Sequence, residues 1–194
     1  IYEVPLALEE QNLAQNVLKL LNCPQKRPDL SGWKKLVDKI KNPQNKITIA
    51  LAGKYTELSD AYISVVESLK HAGCAYNTKV DVKFIASEDC NNDKKAKEML
   101  EGVDGLVVPG GFGLRGIEGK LRVIKYAREN NLPFLGLCLG MQCAVIEYAR
   151  NVAGLKGANS TEFDENTQYP VIDLMAEQKN IGGYGGTMRL GAYD

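Results

Sequence analysis

One histidine, one tryptophan and a net charge of zero set the first limits on what this chain of 194 residues can do. Its 24 lysines and arginines equal its 24 aspartates and glutamates, which argues against a nucleic acid or a membrane surface as its partner. No apolar run has the length of a bilayer, and the chain shows no signal peptide. Its five cysteines lack Cys-x-x-Cys spacing, so we expect no disulfide framework, no metal site and a reducing, cytoplasmic setting.

The length and the apolar content are sufficient for one full domain and a short additional segment. Hydrophobic residues make up 44% of the chain, which is ordinary for a globular protein. We expect residues 1–45 to form a helical linker and residues 46–194 to form the main domain. Ile1 stands where a methionine would begin a complete protein, and Asp194 follows a glycine-rich stretch, so we expect a part of a longer polypeptide.

The apolar spacing predicts an alternation of strands and helices after residue 45. Buried strands are predicted at residues 47–52, 80–85, 105–108 and 134–137, and helices at residues 60–72, 94–100, 119–130 and 139–151. Residues 6–21 are predicted to form one amphipathic helix and residues 33–40 a second, while weaker patterns indicate strands at 171–175 and 187–190. This alternation predicts an α/β fold, a flavodoxin-like doubly wound sheet that is mostly parallel, with helices on both faces.

The run PFLGLCLGMQ (133–142) predicts a buried strand that ends at Cys138, with a helix starting directly after it. Gly136 and Gly140 flank the cysteine at positions −2 and +2, which is the pattern of a nucleophile elbow with cysteine in place of serine. Side chains at these two positions would clash across so tight a turn. The turn would place the sulfur at the start of a helix, where the helix dipole favours a thiolate. A free cysteine is more often a buried structural residue, but the glycine bracket favours a nucleophile here.

Acyl transfer through a cysteine also needs an oxyanion hole and a general base. The backbone N–H of Leu139 is the expected first oxyanion donor, and the turn Gly110–Gly111 after the strand 105–108 can supply the second. Taken alone, those two glycines would be an ordinary turn. His71 lies near the end of a helix and therefore at the opposite edge of a parallel sheet, so we predict a surface residue and reject it as the base.

Several stretches together resemble one family. LGLCLGMQ (135–142) resembles the glutaminase site of the class I, triad-type glutamine amidotransferases. GKYTELSDAYISV (53–65), PGGFGLRGIEGK (109–120), NSTEF (159–163) and GGTMRLG (185–191) resemble the CTP synthases, and IYEVPLALEEQNL (1–13) is similar to the end of their synthetase domain and the linker after it. The likeness covers essentially the whole chain in the right order. It implies that residues 46–194 are the glutaminase domain without its C-terminal part.

The resemblance implies a role for each matching residue. Cys138 would be the nucleophile that forms a glutamyl thioester. The glutamine and its oxyanion would be held by Gly111, Leu139, Gly140, Met141, Gln142 and Glu162. A carboxylate such as that of Glu162 can pair with the α-ammonium group of glutamine. The residues from Phe112 to Gly116, with Arg115 among them, would form a lid loop that responds to GTP, the activator of the family.

The resemblance also implies cofactors and partners. The substrate would be L-glutamine, and this chain would need no cofactor or metal of its own. Ammonia would travel to an N-terminal synthetase domain of the same polypeptide, where ATP, Mg²⁺ and UTP bind and CTP is made for pyrimidine biosynthesis. The full-length enzyme would be a homotetramer.

The chain departs from the family pattern at one point and leaves other interpretations open. The catalytic triad of the family includes a histidine and a glutamate separated by one proline, and no such segment occurs before Asp194. We therefore expect negligible glutaminase turnover from these residues alone. One alternative is another class I amidotransferase, serving for instance GMP or carbamoyl phosphate synthesis, although GKYTELSDAY and GGTMRLG argue against it. A second is a non-catalytic docking, regulatory or filament-forming module with the same fold. A third is the group of stress-response and protease-like proteins with a cysteine elbow, which usually carry histidine where Leu139 stands.

Overall fold

The computed structural model of the chain describes residues 1–58 and 60–175. Its helices are α1 (Val4–Glu10), α2 (Leu13–Leu20), α3 (Ser31–Lys41), α4 (Ile63–Ala75), α5 (Asp93–Leu100), α6 (Ile117–Glu129) and α7 (Leu139–Asn151). Its strands are β1 (Asn45–Gly53), β2 (Thr78–Ala86), β3 (Gly105–Val108), β4 (Phe134–Gly136), β5 (Asn159–Ser160) and β6 (Pro170–Ile172). The predicted strand 187–190 and the motif GGTMRLG lie outside the described residues. No helix in the described part of the chain is long and apolar enough to cross a membrane.

The single helix predicted over residues 6–21 is wrong, because the chain forms two helices there. α1 ends at Glu10 and α2 begins at Leu13, and Asn12 between them has a left-handed backbone with φ 56°. L-residues do not continue a right-handed helix through that conformation, and asparagine is one of the few residues that adopt it readily. The apolar spacing runs on across the break, so periodicity alone did not reveal it.

Four strands form one sheet in the order β2-β1-β3-β4. β1 pairs with β3 in parallel, with Ala50 opposite Leu106, and β3 pairs with β4 in parallel, with Val108 opposite Gly136. The strand that ends before Gly110 is therefore the direct neighbour of the elbow strand. Because the carboxyl ends of parallel strands lie at one edge of a sheet, the segments that follow β1, β3 and β4 come together there.

The remaining elements follow the predicted pattern with small shifts at their ends. β3 and α7 have the predicted bounds, whereas α4 begins three residues later and ends three residues later than the helix predicted at 60–72. β5 and β6 form a separate two-stranded parallel sheet, in which Asn159 lies opposite Pro170. The strand predicted at 171–175 is β6, which is shorter and ends at Ile172.

Two compact units can be distinguished by their internal packing. The first comprises Ile1–Thr48 and Ile63–Val82, and the second comprises Ile49–Tyr62 and Lys83–Asp194. In the first unit, α3 packs on α4, and the indole Nε1 of Trp33 donates a hydrogen bond of 2.7 Å to the carbonyl oxygen of Tyr2.

The second unit holds the main hydrophobic core. In it, α6 packs against both α5 and α7, and the buried core includes Ile85, Leu106, Val108, Val123, Leu139 and Ile146. The side chains of β3 are buried along its whole length, as expected for a strand with neighbours on both sides. This core supports the ends of β3 and β4, where the predicted site residues lie.

Candidate active site

Cys138 stands between β4 and α7 in a strained backbone conformation. Its φ of 51° and ψ of −108° lie outside the regions that non-glycine residues prefer. The Cys138 thiol is exposed, and α7 begins at the next residue, Leu139. The backbone N–H of Gln142 donates a hydrogen bond of 3.1 Å to the carbonyl oxygen of Cys138, which ties the cysteine to the first turn of the helix. The chain thus has the strand, sharp turn and helix that define a nucleophile elbow.

The two glycines around the cysteine leave no room for a side chain. A Cβ on Gly136 would lie 2.6 Å from the carbonyl carbon of Gly140, and a Cβ on Gly140 would lie 2.0 Å from the carbonyl oxygen of Val108. Both obstacles are backbone atoms, which cannot rotate away as a side chain can. The predicted clash across the turn is therefore present at Gly136, whereas at Gly140 the obstacle is the neighbouring strand β3.

The turn Gly110–Gly111 lies directly beside the elbow. A Cβ on Gly110 would lie 3.6 Å from the Cβ of Cys138, and a Cβ on Gly111 would lie 3.5 Å from Cδ2 of Leu139. Leu139 is the first residue of α7, so its N–H has no acceptor within the helix. The exposed sulfur is thus bordered by two backbone segments that can present N–H groups to a developing oxyanion.

Gln142 and Glu162 line one cavity of about 830 Å³. Gln142 lies on α7 one turn after Cys138, and Glu162 follows β5. The carboxylate of Glu162 is exposed, and its Oε1 accepts a hydrogen bond of 3.1 Å from the backbone N–H of Gly113. Among the other two predicted contacts on α7, Met141 is exposed and Gly140 is buried. The structure therefore brings together the two side chains predicted to hold glutamine.

The predicted lid loop, residues 112–116, is held to the end of β1 by a lysine. Lys54 follows β1 directly, and its Nζ donates hydrogen bonds to the carbonyl oxygens of Phe112 and Gly113, the latter at 2.8 Å. The side chain of Phe112 itself is 84% exposed. The loop backbone is thus anchored by Lys54 and Glu162, while the side chain of Phe112 is exposed.

Arg115 and Gly116 close the other end of this loop. The guanidinium of Arg115 pairs with the carboxylate of Glu88 at 3.0 Å and lies 5.5 Å from the ring centre of Tyr55. Gly116 has φ 75°, and a Cβ there would lie 2.3 Å from the hydroxyl oxygen of Ser87. Only glycine fits both that backbone conformation and that space.

Lys120 and Lys54 are the two site residues that the sequence interpretation missed. Lys120 is fully buried in α6, and its Nζ has no hydrogen-bond partner among the described residues. The pKa of Lys120 is lowered, chiefly by burial; Cys143 opposes this shift, and the nearby charge of Lys54 adds to it with the smallest of the three effects. The helical spacing of the apolar residues of α6 does place position 120 on the buried face, and Lys54 stands at a strand end where ligand sites occur.

The other thiols of the second unit differ from Cys138 in their burial. Burial raises the pKa of Cys90 and of Cys143 to about 11 each, chiefly because a thiolate would lose its hydration there. Both residues are fully buried, so neither is suited to attack a substrate. The residues that the structure describes contain no group of three or more histidine, cysteine or acidic side chains that could hold a metal ion.

His71 belongs to a cluster in the first unit. Its Nε2 lies 2.6 Å from the hydroxyl oxygen of Tyr2, which also donates a hydrogen bond of 2.5 Å to Glu67. This hydrogen bond to a carboxylate is the main reason why the pKa of Tyr2 rises to about 12. His71 is exposed, as predicted, and its ring is engaged by Tyr2.

Comparison with known proteins supplies a family for this arrangement. The family model Glutamine amidotransferase class-I matches residues 57–194. Curated proteins named CTP synthase are similar over the whole chain: 62% identity over 193 residues for Caldanaerobacter subterraneus subsp. tengcongensis, 58% over 199 for Methanocaldococcus jannaschii and 56% over 193 for Bacillus subtilis. All of this chain is matched in each case, but only 36%, 37% and 36% of those relatives, so the chain spans little more than a third of their length.

A solved structure is also similar to this chain in sequence and in fold. The glutaminase domain of Trypanosoma brucei CTPS with bound acivicin is 40% identical to this chain, with a TM-score of 0.65, and the match covers 69% of this chain and 52% of that one. The likeness confirms the predicted fold class, an α/β fold with a parallel sheet and helices on both faces.

Proposed function

This chain belongs to the class I glutamine amidotransferase family, and on that premise we propose that it is the glutaminase part of a CTP synthase. The observation that carries the proposal is the exposed thiol of Cys138, in a strained turn that Gly136 and Gly140 alone permit, beside the turn Gly110–Gly111. That arrangement is suited to acyl transfer through a thioester.

In the proposed reaction, the sulfur of Cys138 attacks the side-chain amide carbon of glutamine. The π electrons of the carbonyl group move to its oxygen, and the resulting oxyanion is stabilised by the N–H groups of Gly111 and Leu139. The proton of the thiol passes to a base and then to the amide nitrogen, so that ammonia leaves when the C–N bond breaks. Water then hydrolyses the thioester to glutamate and restores the thiol.

We assign no residue of this chain to the base. The family resemblance places it in a His-Pro-Glu segment, and the only histidine among residues 1–194 is His71, which contacts Tyr2. We propose that the complete protein supplies the base, which would raise the thiolate fraction of Cys138 and protonate the leaving nitrogen.

The cavity lined by Gln142 and Glu162 is our proposed glutamine site. The carboxylate of Glu162 is suited to the α-ammonium group of the substrate. Glutamine would then compete with the N–H of Gly113 for this carboxylate. We propose that the lid loop, with Phe112, Arg115 and Gly116, responds to GTP through this contact and through the hydrogen bonds from Lys54.

The remaining steps concern the complete protein. We propose that the ammonia passes to a synthetase domain of the same polypeptide, which uses ATP and Mg²⁺ to aminate UTP to CTP. The support is that all of this chain is similar to a part of proteins named CTP synthase. A cytoplasmic homotetramer is the form in which we expect the enzyme to work.

The test uses the complete natural protein and its Cys138→Ala variant. CTP formation from UTP and ATP is measured with glutamine and, separately, with ammonium chloride as the nitrogen source. We expect the variant to lose the glutamine-driven reaction and to keep the ammonia-driven one, and Cys23→Ala, which removes another exposed thiol, to keep both. A protein that hydrolyses no glutamine would favour the docking or regulatory module, and hydrolysis without CTP formation would favour another amidotransferase.

A further inference from the structure

A buried lysine lies close to the turn that we assign to the oxyanion hole. A Cβ on Gly111 would be 3.7 Å from the Nζ of Lys120, and the same Cβ would be 3.5 Å from the side chain of Leu139. The side chain of Lys120 has 0% of its surface exposed. Its amino group is therefore close to one of the two proposed oxyanion donors.

This amino group lacks a partner in the described part of the chain. Among the described residues, no hydrogen-bond acceptor pairs with the Nζ of Lys120, although buried polar groups in proteins are almost always paired. Burial of an unpaired ammonium ion is strongly unfavourable, and lysine is almost never fully buried unless it is paired.

The ionisable groups around Lys120 do not compensate for its charge. The neighbouring thiol of Cys143 has a pKa raised to about 11 by burial and is therefore uncharged near neutral pH. The other ionisable neighbour that affects Lys120 is Lys54, which is itself a cation. On the same helix, Glu118 is engaged by the guanidinium of Arg150 at 2.9 Å.

We propose that Lys120 is a positioning residue for the oxyanion hole, whose unpaired charge close to Gly111 favours the negative charge that develops on the substrate oxygen. The inference rests on the proposed function of Cys138. The substrate oxygen becomes negatively charged only as the reaction proceeds, so the charge of Lys120 stabilises the transition state more than it stabilises the bound substrate. Such an interaction raises kcat rather than lowering KM.

The ammonium form of Lys120 and the oxyanion of the substrate would stabilise each other. Desolvation is the main reason why the pKa of Lys120 is lowered, because burial disfavours the ammonium form. An oxyanion at Gly111 and Leu139 would stabilise that form, and by linkage the ammonium form stabilises the oxyanion by the same factor. The low dielectric constant of a buried site makes such an interaction stronger than it would be in water.

The test is the Lys120→Met variant of the complete protein, because methionine keeps a similar length and removes the charge. We expect kcat for glutamine hydrolysis to fall by about tenfold to a hundredfold, with KM changed by less than about twofold. The melting temperature should stay the same or rise, because an unpaired buried charge has been replaced by an apolar side chain. If Lys120 only stabilised the fold, its replacement would lower the melting temperature.

The matched control is Ile124→Val, a core substitution one turn further along the same helix. It should lower the melting temperature and leave kcat within about twofold of the natural value. The inference is overturned if Lys120→Met keeps the natural kcat, or if the variant loses kcat and stability together or does not fold. The Cys138→Ala variant distinguishes the two proposals. If this variant still hydrolyses glutamine, the proposed function is wrong. If it is inactive and Lys120→Met keeps the natural kcat, only the proposed role of Lys120 is wrong.

Discussion

The carboxylate of Glu162 accepts a hydrogen bond of 3.1 Å from the backbone N–H of Gly113. Glu162 lines the same cavity as Gln142, and Gly113 belongs to the proposed lid loop, so one contact joins the proposed substrate site to the proposed lid. A ligand with a cationic group in this cavity would compete with that N–H for the carboxylate. Occupation of the site and release of the loop are therefore physically coupled.

We expect Glu162→Gln to weaken glutamine binding. The amide keeps an oxygen that can accept from Gly113, but it lacks the charge that pairs with the α-ammonium group. Loss of one charge-assisted hydrogen bond should raise KM for glutamine by about tenfold to a hundredfold, with a smaller effect on kcat. Steady-state glutaminase kinetics of the complete protein measure this, and Glu98→Gln, on the surface of α5, is the control. An unchanged KM for Glu162→Gln would show that the carboxylate does not bind the substrate.

We expect Lys54→Met to loosen the lid loop. The substitution removes the ammonium group that donates to the carbonyl oxygens of Phe112 and Gly113. Amide hydrogen exchange at Gly113 reports this directly, since its N–H is hydrogen-bonded only while the loop stays in place, and the rate should rise by about tenfold. Lys83→Met, which removes an exposed lysine from β2, should leave this rate unchanged. Equal exchange in all three proteins would mean that Lys54 does not restrain the loop.

The elbow should not tolerate a methyl group at position 140. A Cβ on Gly140 would lie 2.0 Å from the carbonyl oxygen of Val108, so Gly140→Ala must displace either β3 or the start of α7. We expect a loss of roughly 3 kcal/mol or more in the free energy of unfolding. Gly32→Ala is the matched control: nothing lies within 4 Å of the new methyl group, and alanine is favoured over glycine in a helix by up to about 1 kcal/mol. Urea denaturation compares them, and a Gly140→Ala protein as stable as the natural one would show that the turn is not so tightly packed.

Stability should decline in alkaline solution as the buried thiols ionise. The pKa of Cys143 is raised from 9.0 to about 11, so the unfolded chain loses this proton first as the pH rises. The stabilisation is complete below about pH 9 and is lost as the pH rises through about 11. Urea denaturation at about pH 8 and about pH 10.5 should therefore show a smaller alkaline loss for Cys143→Ala than for the natural protein. Cys23→Ala, at an exposed position, should keep the natural pH dependence. If the natural protein and both variants lose the same stability between the two pH values, ionisation of Cys143 does not cause the loss.

The local features of the fold could be predicted because short sequence patterns determine them. β3 has the predicted bounds because an apolar run ends at Pro109, and α7 has the predicted bounds because the elbow glycines force the chain to turn before Leu139. The strained backbone of Cys138 also follows from its immediate neighbours. In each case the contacts that determine the structure join residues close in the sequence, or join adjacent strands whose pairing the topology rules favour.

The features that could not be predicted depend on contacts between distant residues or on exceptions to average behaviour. Lys54 and Phe112 are far apart in the sequence, and no periodic pattern marks a hydrogen bond from a side chain to a loop carbonyl. The apolar spacing of α6 places position 120 on the buried face, but lysine is almost never fully buried, so the residue type argues against what the spacing indicates. At Asn12 the apolar spacing continues through a break in the helix that only the backbone conformation reveals.

The most direct test of the role of Cys138 is to label the complete protein with acivicin, which binds the related Trypanosoma brucei domain. Intact mass and peptide mapping should show one adduct per chain, on Cys138, with glutaminase activity lost in proportion and an excess of glutamine slowing the labelling. Cys23 is also exposed and serves as the internal control for nonspecific alkylation. Labelling of another residue, or full glutaminase activity after complete modification of Cys138, would contradict the assignment of Cys138 as the nucleophile.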